Sequence, residues 1–145
     1  MENSIKISGV WNGELTFGEE YGPDLQNKTK QFRLVLDEKD GDVTGECIDT
    51  GGTGVIPEPA TINGFFEEDM VSFIKQYPAC YIIDQKGGTM MIPEKISPEF
   101  NFSGYYNAEK DTFEGDWHVV FEIKQLTFGF AEYALSGTWS MKREN

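Results

Sequence analysis

Hydrophobic and polar residues alternate in short runs along most of this chain. From Ile5 to Phe17, Trp11, Leu15 and Phe17 fall on one face with Gly9 and Gly13, while Asn12, Glu14 and Thr16 take the other. Residues i and i+2 of an extended strand share a face, so this run predicts a first strand. Residues 18–30, GEEYGPDLQNKTK, lose the period and collect Gly, Pro, Asn and charge, which predicts a long loop. Phe32, Leu34 and Leu36 alternate with Arg33 and Val35, Asp40-Gly41 is a hairpin turn signal, and Val43 to Ile48 returns as a third strand. Residues 49–59, DTGGTGVIPEP, read as a Gly/Pro loop. Thr61 to Phe66 and Met70 to Tyr77 form the next pair around Glu67-Glu68-Asp69, and Pro78 breaks the ladder. Cys80 to Ile83 and Thr89 to Ile92 read as a further hairpin, followed by the linker PEKISPE. Phe100 to Tyr106 pairs with Thr112 to Lys124 around NAEKD, and Tyr133 to Lys142 is the last strand. No stretch keeps a helical period over more than two turns.

One device recurs on these strands: a polar residue, Gly, any residue, then an aromatic. It reads Ser8-Gly9-Val10-Trp11, Asn63-Gly64-Phe65-Phe66, Ser103-Gly104-Tyr105-Tyr106, Glu114-Gly115-Asp116-Trp117 and Ser136-Gly137-Thr138-Trp139, with Thr44-Gly45-Glu46-Cys47 as a degenerate copy. Each Gly then lies beside its ring on one face. The missing side chain lets the strand coil sharply and lets a bulky neighbour lean across it, which is what a sheet needs to close on itself. The prediction is an all-β fold, an antiparallel up-and-down β-barrel of 8–10 strands spanning residues 1–145 as a single domain, with a β-sandwich as the alternative.

Composition narrows the function classes. The 145 residues carry a net charge of −13, with 39% hydrophobic and 14% aromatic residues. A carboxylate excess of this size repels phosphate backbones, so neither nucleic acid nor an anionic membrane surface is an expected partner. No apolar run approaches a membrane-spanning length, and Met1-Glu2-Asn3-Ser4 leads into strand without a signal-peptide pattern, so a cytoplasmic location is expected. Cys47 and Cys80 have no metal-like spacing and read as two buried, reduced thiols.

A Gly-x-Trp in the first strand, a long loop after it, and basic residues closing the last strand resemble the calycins: lipocalins, fatty-acid-binding proteins and avidins. That resemblance implies that Trp11, after Gly9 and Val10, packs across the closed end of the barrel beneath Lys142 or Arg143. A cation stacked on an indole face is worth about 0.5–2 kcal/mol whatever the family. Gly9, Trp11, Trp117, Trp139 and Arg143 are therefore the residues expected to close the barrel. The repeated Gly-x-aromatic of the later strands looks more like avidin, but the fifth strand, VSFIKQY, has none of the tryptophans of a biotin pocket. Asn12 also follows Trp11 directly, where avidins place the comparable polar residue one position later, so biotin binding is not carried over. The disulfide of secreted lipocalins and the helix pair of fatty-acid-binding proteins have no counterpart here.

Candidate chemistry is sparse. Asp49-Thr50-Gly51 is the triplet of aspartic proteases, which need two such carboxylates from a repeat or a dimer and an apolar-Gly segment packed behind each. No convincing apolar-Gly segment is found, and a Gly-rich turn explains the triplet. Gly51-Gly52-Thr53-Gly54 is followed by prolines rather than by a Lys and a helix, which rules out a phosphate loop. DEKDGD lacks the spacing of a calcium loop, and His118, the single histidine, alternates outward from Trp117 and Val119. No metal and no cofactor is expected. Lys75 stands apart, because Val71, Phe73, Lys75 and Tyr77 share a face: if that face is inward, an ammonium enters an aromatic interior and needs an anion. Lys75, Tyr77, Phe73, Tyr106 and Phe66 are the candidate ligand-binding residues.

The leading function is a barrel that binds a small acidic or apolar molecule. The alternative is a non-catalytic interaction or oligomeric module whose barrel is filled by its own side chains. A proton-transfer enzyme ranks last, needing paired titratable groups in the interior. Leu126, Phe128 and Phe130 read as a lid, a subunit contact or core.

Overall fold

A computed structural model describes residues 5–84, 86–126 and 129–144, with the backbone alone over residues 122–126 and 129–133. The described residues form ten strands: β1 Gly9–Phe17, β2 Thr29–Lys39, β3 Asp42–Gly52, β4 Ala60–Glu67, β5 Met70–Gln76, β6 Cys80–Ile83, β7 Thr89–Ile92, β8 Phe100–Asn107, β9 Thr112–Leu126 and β10 Gly129–Arg143. Eight of them close into one antiparallel barrel in the order β1-β10-β9-β8-β5-β4-β3-β2. Each strand neighbours the next in the chain, except where β6 and β7 leave the wall as a separate two-stranded hairpin between β5 and β8. The result is the antiparallel up-and-down barrel that the alternation predicts, and not a sandwich. The loop after β1 contains a single 3₁₀ turn, Glu19–Tyr21.

The inward parity is the expected one. Trp11, Trp117 and Trp139 are all buried in one core with Leu34, Ile62, Phe73, Phe102 and Phe113, while His118 faces outward. The glycines serve the rings as foreseen. A Cβ on Gly13 would lie 2.3 Å from the ring of Phe32, its partner on β2. One on Gly137 would lie 2.6 Å from Nε1 of Trp117, its partner on β9. Trp139 sits opposite Gly115, which sits opposite Gly104, and its ring reaches across both strands. There its Nε1 donates to the carbonyls of Ser103 and Asp116, both at 3.1 Å.

One end of the barrel is shut by the chain's own termini. Residues 5–8 cross beneath it, Ile7 is fully buried, and Trp11 Nε1 donates to the Ile7 carbonyl at 2.9 Å. The Arg143 guanidinium lies 4.3 Å from the Trp11 ring centroid and donates to the carbonyls of Ser8 and Lys6. Of the two candidate caps, Arg143 is therefore the one used. Gly9 makes the room: its φ is +135°, and a Cβ there would meet Arg143 Nη1 at 2.9 Å. Phe113 packs edge-on against Trp11 in this layer.

Four strands depart most from their expected bounds: β1 begins at Gly9 rather than Ile5, β10 begins at Gly129 rather than Tyr133, and β2 and β3 are longer than expected. β2 begins at Thr29 and β3 runs on to Gly52, both beyond the alternating cores read from the sequence. The glycine-rich DTGG is strand because a bulge accommodates it: Phe32 pairs with Asp49 and Gln31 with Gly51, leaving Thr50 without a partner. Both cysteines are free and buried. No helix among the described residues is long and apolar enough to cross a membrane. Phe128 lies outside the described residues, as do the side chains of Leu126 and Phe130, so their expected role as lid, contact or core falls there too.

Candidate functional site

The barrel end opposite Trp11 holds all the interior charge among the described residues. Lys75 is the penultimate residue of β5, Lys30 comes from the start of β2, Asp49 from the bulged end of β3, and Tyr77 is the residue just past β5. All four are buried, with Lys75 at 2% exposure and Lys30 at 4%. Their placement is a matter of parity. Lys30 shares the inner face of β2 with Phe32, Leu34 and Leu36, and Asp49 shares that of β3 with Val43 and Cys47.

Asp49 is saturated. It accepts from Lys30 Nζ at 3.0 Å, from the Tyr77 hydroxyl at 3.1 Å, and from the Ile56 backbone N–H at 2.9 Å. Lys30 also donates to the Tyr77 oxygen at 3.3 Å. The trio is thus a closed brace that ties β2, β3 and the end of β5 together. Burial, and then the charge of Lys75, push the Lys30 ammonium down to about 8, against the pull of Asp49. Burial and then Asp49 hold the Tyr77 phenol well above its usual range, and burial pushes the Cys47 thiol up to about 11.

Lys75 is held differently. Its Nζ lies 5.1 Å from the ring centroid of Phe102, 5.2 Å from Tyr77, 5.3 Å from Phe32 and 5.8 Å from Phe100. Within this box of rings it makes no hydrogen bond and no ion pair among the described residues. No side-chain nitrogen or oxygen there is both sealed and unpartnered, so the little accessible surface that Lys75 keeps includes its ammonium tip.

The five residues expected to bind a ligand do not form one group. Lys75 and Tyr77 are together, and Phe73 lies one layer deeper, its ring stacked on Phe102 at 5.1 Å. Phe66 and Tyr106 belong to the other end: both pack on Phe113, next to Trp11, and the Tyr106 hydroxyl bonds Asp111. The layer around Phe73, Phe102, Trp139 and Trp117 separates the two ends with ring against ring. Sequence reasoning missed Lys30, Asp49 and Phe100. The signal was present for the first two, because Lys30-Phe32-Leu34-Leu36 and Val43-Gly45-Cys47-Asp49 each continue an inward period of two.

The cluster is roofed by the excursion between β5 and β8. Tyr81 packs against the Tyr77 ring, and the hairpin is tied to the loop after β3. The ties run from Gly54 N–H to the Gly87 carbonyl at 2.8 Å, from the Thr89 hydroxyl to the Val55 carbonyl at 2.9 Å, and from the Tyr81 hydroxyl to Glu58. Ser97, buried on the return path, accepts from the Tyr77 N–H at 3.3 Å.

Comparison with known proteins adds one structure. Rhizavidin is similar over 92% of this chain and 84% of its own, at 14% sequence identity and a TM-score of 0.47. No protein-family model and no curated protein matches the sequence. Function has to be argued from the residues themselves.

Proposed function

We propose that this barrel binds a small molecule carrying one carboxylate on an apolar body, at the end opposite Trp11, with Lys75 as its anchor. The observation that carries the reading is an ammonium at 2% exposure, boxed by four rings, with no acceptor among the described residues. Four ring faces attract a cation, each by about 0.5–2 kcal/mol, which offsets much of the several kcal/mol that burying an ammonium costs but leaves its N–H donors without an acceptor. The chain has 25 acidic residues, and among those described none forms an ion pair with Lys75. An anion from outside supplies what the fold withholds. Phe32, Phe100, Phe102 and Tyr77 supply an apolar lining for the remainder of the ligand. The deeper interior is occupied by its own aromatic layer, so the ligand sits at the mouth rather than along the axis. The Lys30–Asp49–Tyr77 trio serves as a brace, since each carboxylate oxygen already accepts from at least one donor. With its two thiols free and buried, the protein fits a reducing compartment, and we place it in the cytoplasm.

The test is a binding comparison between the wild type and Lys75→Met. Benzoate and octanoate are titrated into each by calorimetry, and native mass spectrometry of protein purified from cells shows whether an acid of mass below about 500 Da co-purifies. Binding that disappears in Lys75→Met supports the reading. A wild type that takes neither probe and carries nothing, or a variant that binds as tightly as wild type, removes it.

A further inference from the structure

We infer that Lys30 is the titrating partner of Lys75: charge removed from or added beside Lys75 moves the proton on Lys30, so that the site takes a single negative charge and takes up a proton with it. The part concerning the ligand rests on the reading of Lys75 as the anchor, whereas the part concerning Lys30 does not.

The geometry is two ammonium groups on one ring. Lys30 Nζ and Lys75 Nζ lie 5.5 and 5.2 Å from the centroid of Tyr77. The groups facing Lys30 from each neighbouring element are Asp49 and Cys47 on β3, Lys75 on β5, and Tyr77 beyond it, with Tyr21 and Tyr81 in contact or coupled through Tyr77. The phenols and the Cys47 thiol all have their proton loss pushed upward, so near neutral pH they add no charge. Two lysines then face one carboxylate, an excess of one positive charge in a ring-lined interior.

Such an excess is relieved in one of two ways. Either one lysine sheds its proton, or an anion enters. Lys30 is the lysine placed to do the first. Burial and the neighbouring Lys75 already bring its proton loss down to about 8, although Asp49 opposes this. A neutral amine also keeps an N–H for the Asp49 carboxylate 3.0 Å away, so the brace survives deprotonation. A carboxylate arriving beside Lys75 cancels the charge that was repelling the Lys30 proton, and Lys30 takes the proton back. Binding and proton uptake are then two faces of one linkage. The same count sets selectivity: one carboxylate brings the cluster to neutrality, and a second leaves it negative with no donor to meet it.

The test follows the Lys30 side-chain ¹³Cε resonance, assigned through its backbone, across pH 6–11 in the wild type and in Lys75→Met. In the wild type the transition is expected near the low value given above, and in Lys75→Met it moves upward by about one pH unit or more. A Lys30 that titrates at the ordinary lysine value, or that stays put when Lys75 loses its charge, overturns the inference whether or not any ligand binds. Benzoate and phthalate are then titrated calorimetrically at pH 8.5 in two buffers of different ionisation heat. Expected are a fractional proton taken up with benzoate and phthalate binding about tenfold weaker or worse. Benzoate binding through Lys75 with no proton uptake, or equal binding of phthalate, sinks the linkage while leaving the anchor standing. If benzoate does not bind, octanoate takes its place in the proton-uptake measurement. If neither binds and no acid co-purifies, the anchor reading falls and the Lys30 titration alone decides this one.

Discussion

At the scale of single residues, two positions carry opposite strains. Lys75 is a charge the fold does not satisfy, so replacing it with an apolar chain of similar length relieves the protein. Lys75→Met is expected to leave stability unchanged or raise it, by on the order of 1–4 kcal/mol in urea unfolding, while anion binding is lost. A strong loss of stability instead would mean that the four ring contacts outweigh the cost of burial, making Lys75 a structural cation. Gly9 is the reverse case, a residue whose absence of side chain is required. Its φ of +135° is a conformation that L residues rarely adopt, and any Cβ would push on Arg143 where that side chain covers Trp11. Gly9→Ala is expected to cost about 1–3 kcal/mol and to change Trp11 fluorescence as the guanidinium is displaced. An unfolding midpoint equal to wild type would show that the cap tolerates a shift and does not constrain the end of the barrel.

At the scale of elements, the bulge in β3 positions the site. Without the extra residue at Thr50, β2 and β3 could not keep register from Gln31 to Phe32 while Asp49 reaches inward to Lys30. Asp49→Asn leaves Lys30 buried without its counter-charge and is expected to destabilise by about 3–5 kcal/mol, whereas the double variant Lys30→Met with Asp49→Leu recovers most of the loss. Equal losses in Asp49→Leu alone and in the double variant would show that Asp49 acts through its bond to the Ile56 N–H, not through the ion pair. This element also marks where the sequence stops being legible. Alternation on β1, β2 and β10 shows which residues face inward, and the Gly-x-ring repeat shows that the wall curves. Both are local, period-two signals that any strand buried on one face must carry. The segment DTGG hides its strand because glycines satisfy a turn and a bulge equally well, and only pairing with β2 decides between them. Phe66 and Tyr106 were grouped with Lys75 because parity assigns a face but not a height. Height along the barrel depends on register and stagger between strands distant in the chain. Phe100 escaped notice for the related reason that it opens β8, after an excursion whose path the sequence does not give.

At the scale of the whole molecule, the buried cluster makes stability depend on pH, because several of its groups change their proton affinity on folding. Lys30 is lowered from 10.5 to about 8 on folding. Between those values the unfolded chain therefore holds the proton more often than the folded one, and stability rises with pH. Cys47 is raised from 9.0 to about 11. Between those values the folded chain holds the extra proton, and stability falls as pH increases. Tyr77, raised well above 10.0, adds to the fall beyond that point. Each of the first two effects is on the order of 3 kcal/mol over its full range and at most about 1.4 kcal/mol per pH unit, so they nearly cancel where they overlap. The expected curve rises from pH 8 to 9, levels toward 10, and then declines. Urea midpoints at constant ionic strength, taken at unit steps from pH 7 to 11, measure it. Cys47→Ala should extend the rise past pH 9, and Lys75→Met should shrink it, because Lys75 is part of what holds the Lys30 value down. A wild-type curve that is flat or falling from pH 8 to 9 would mean that Lys30 enters the folded state with its ordinary affinity for a proton. The interior would then hold its two positive charges without strain, and the argument for an anion between them would lose its physical basis.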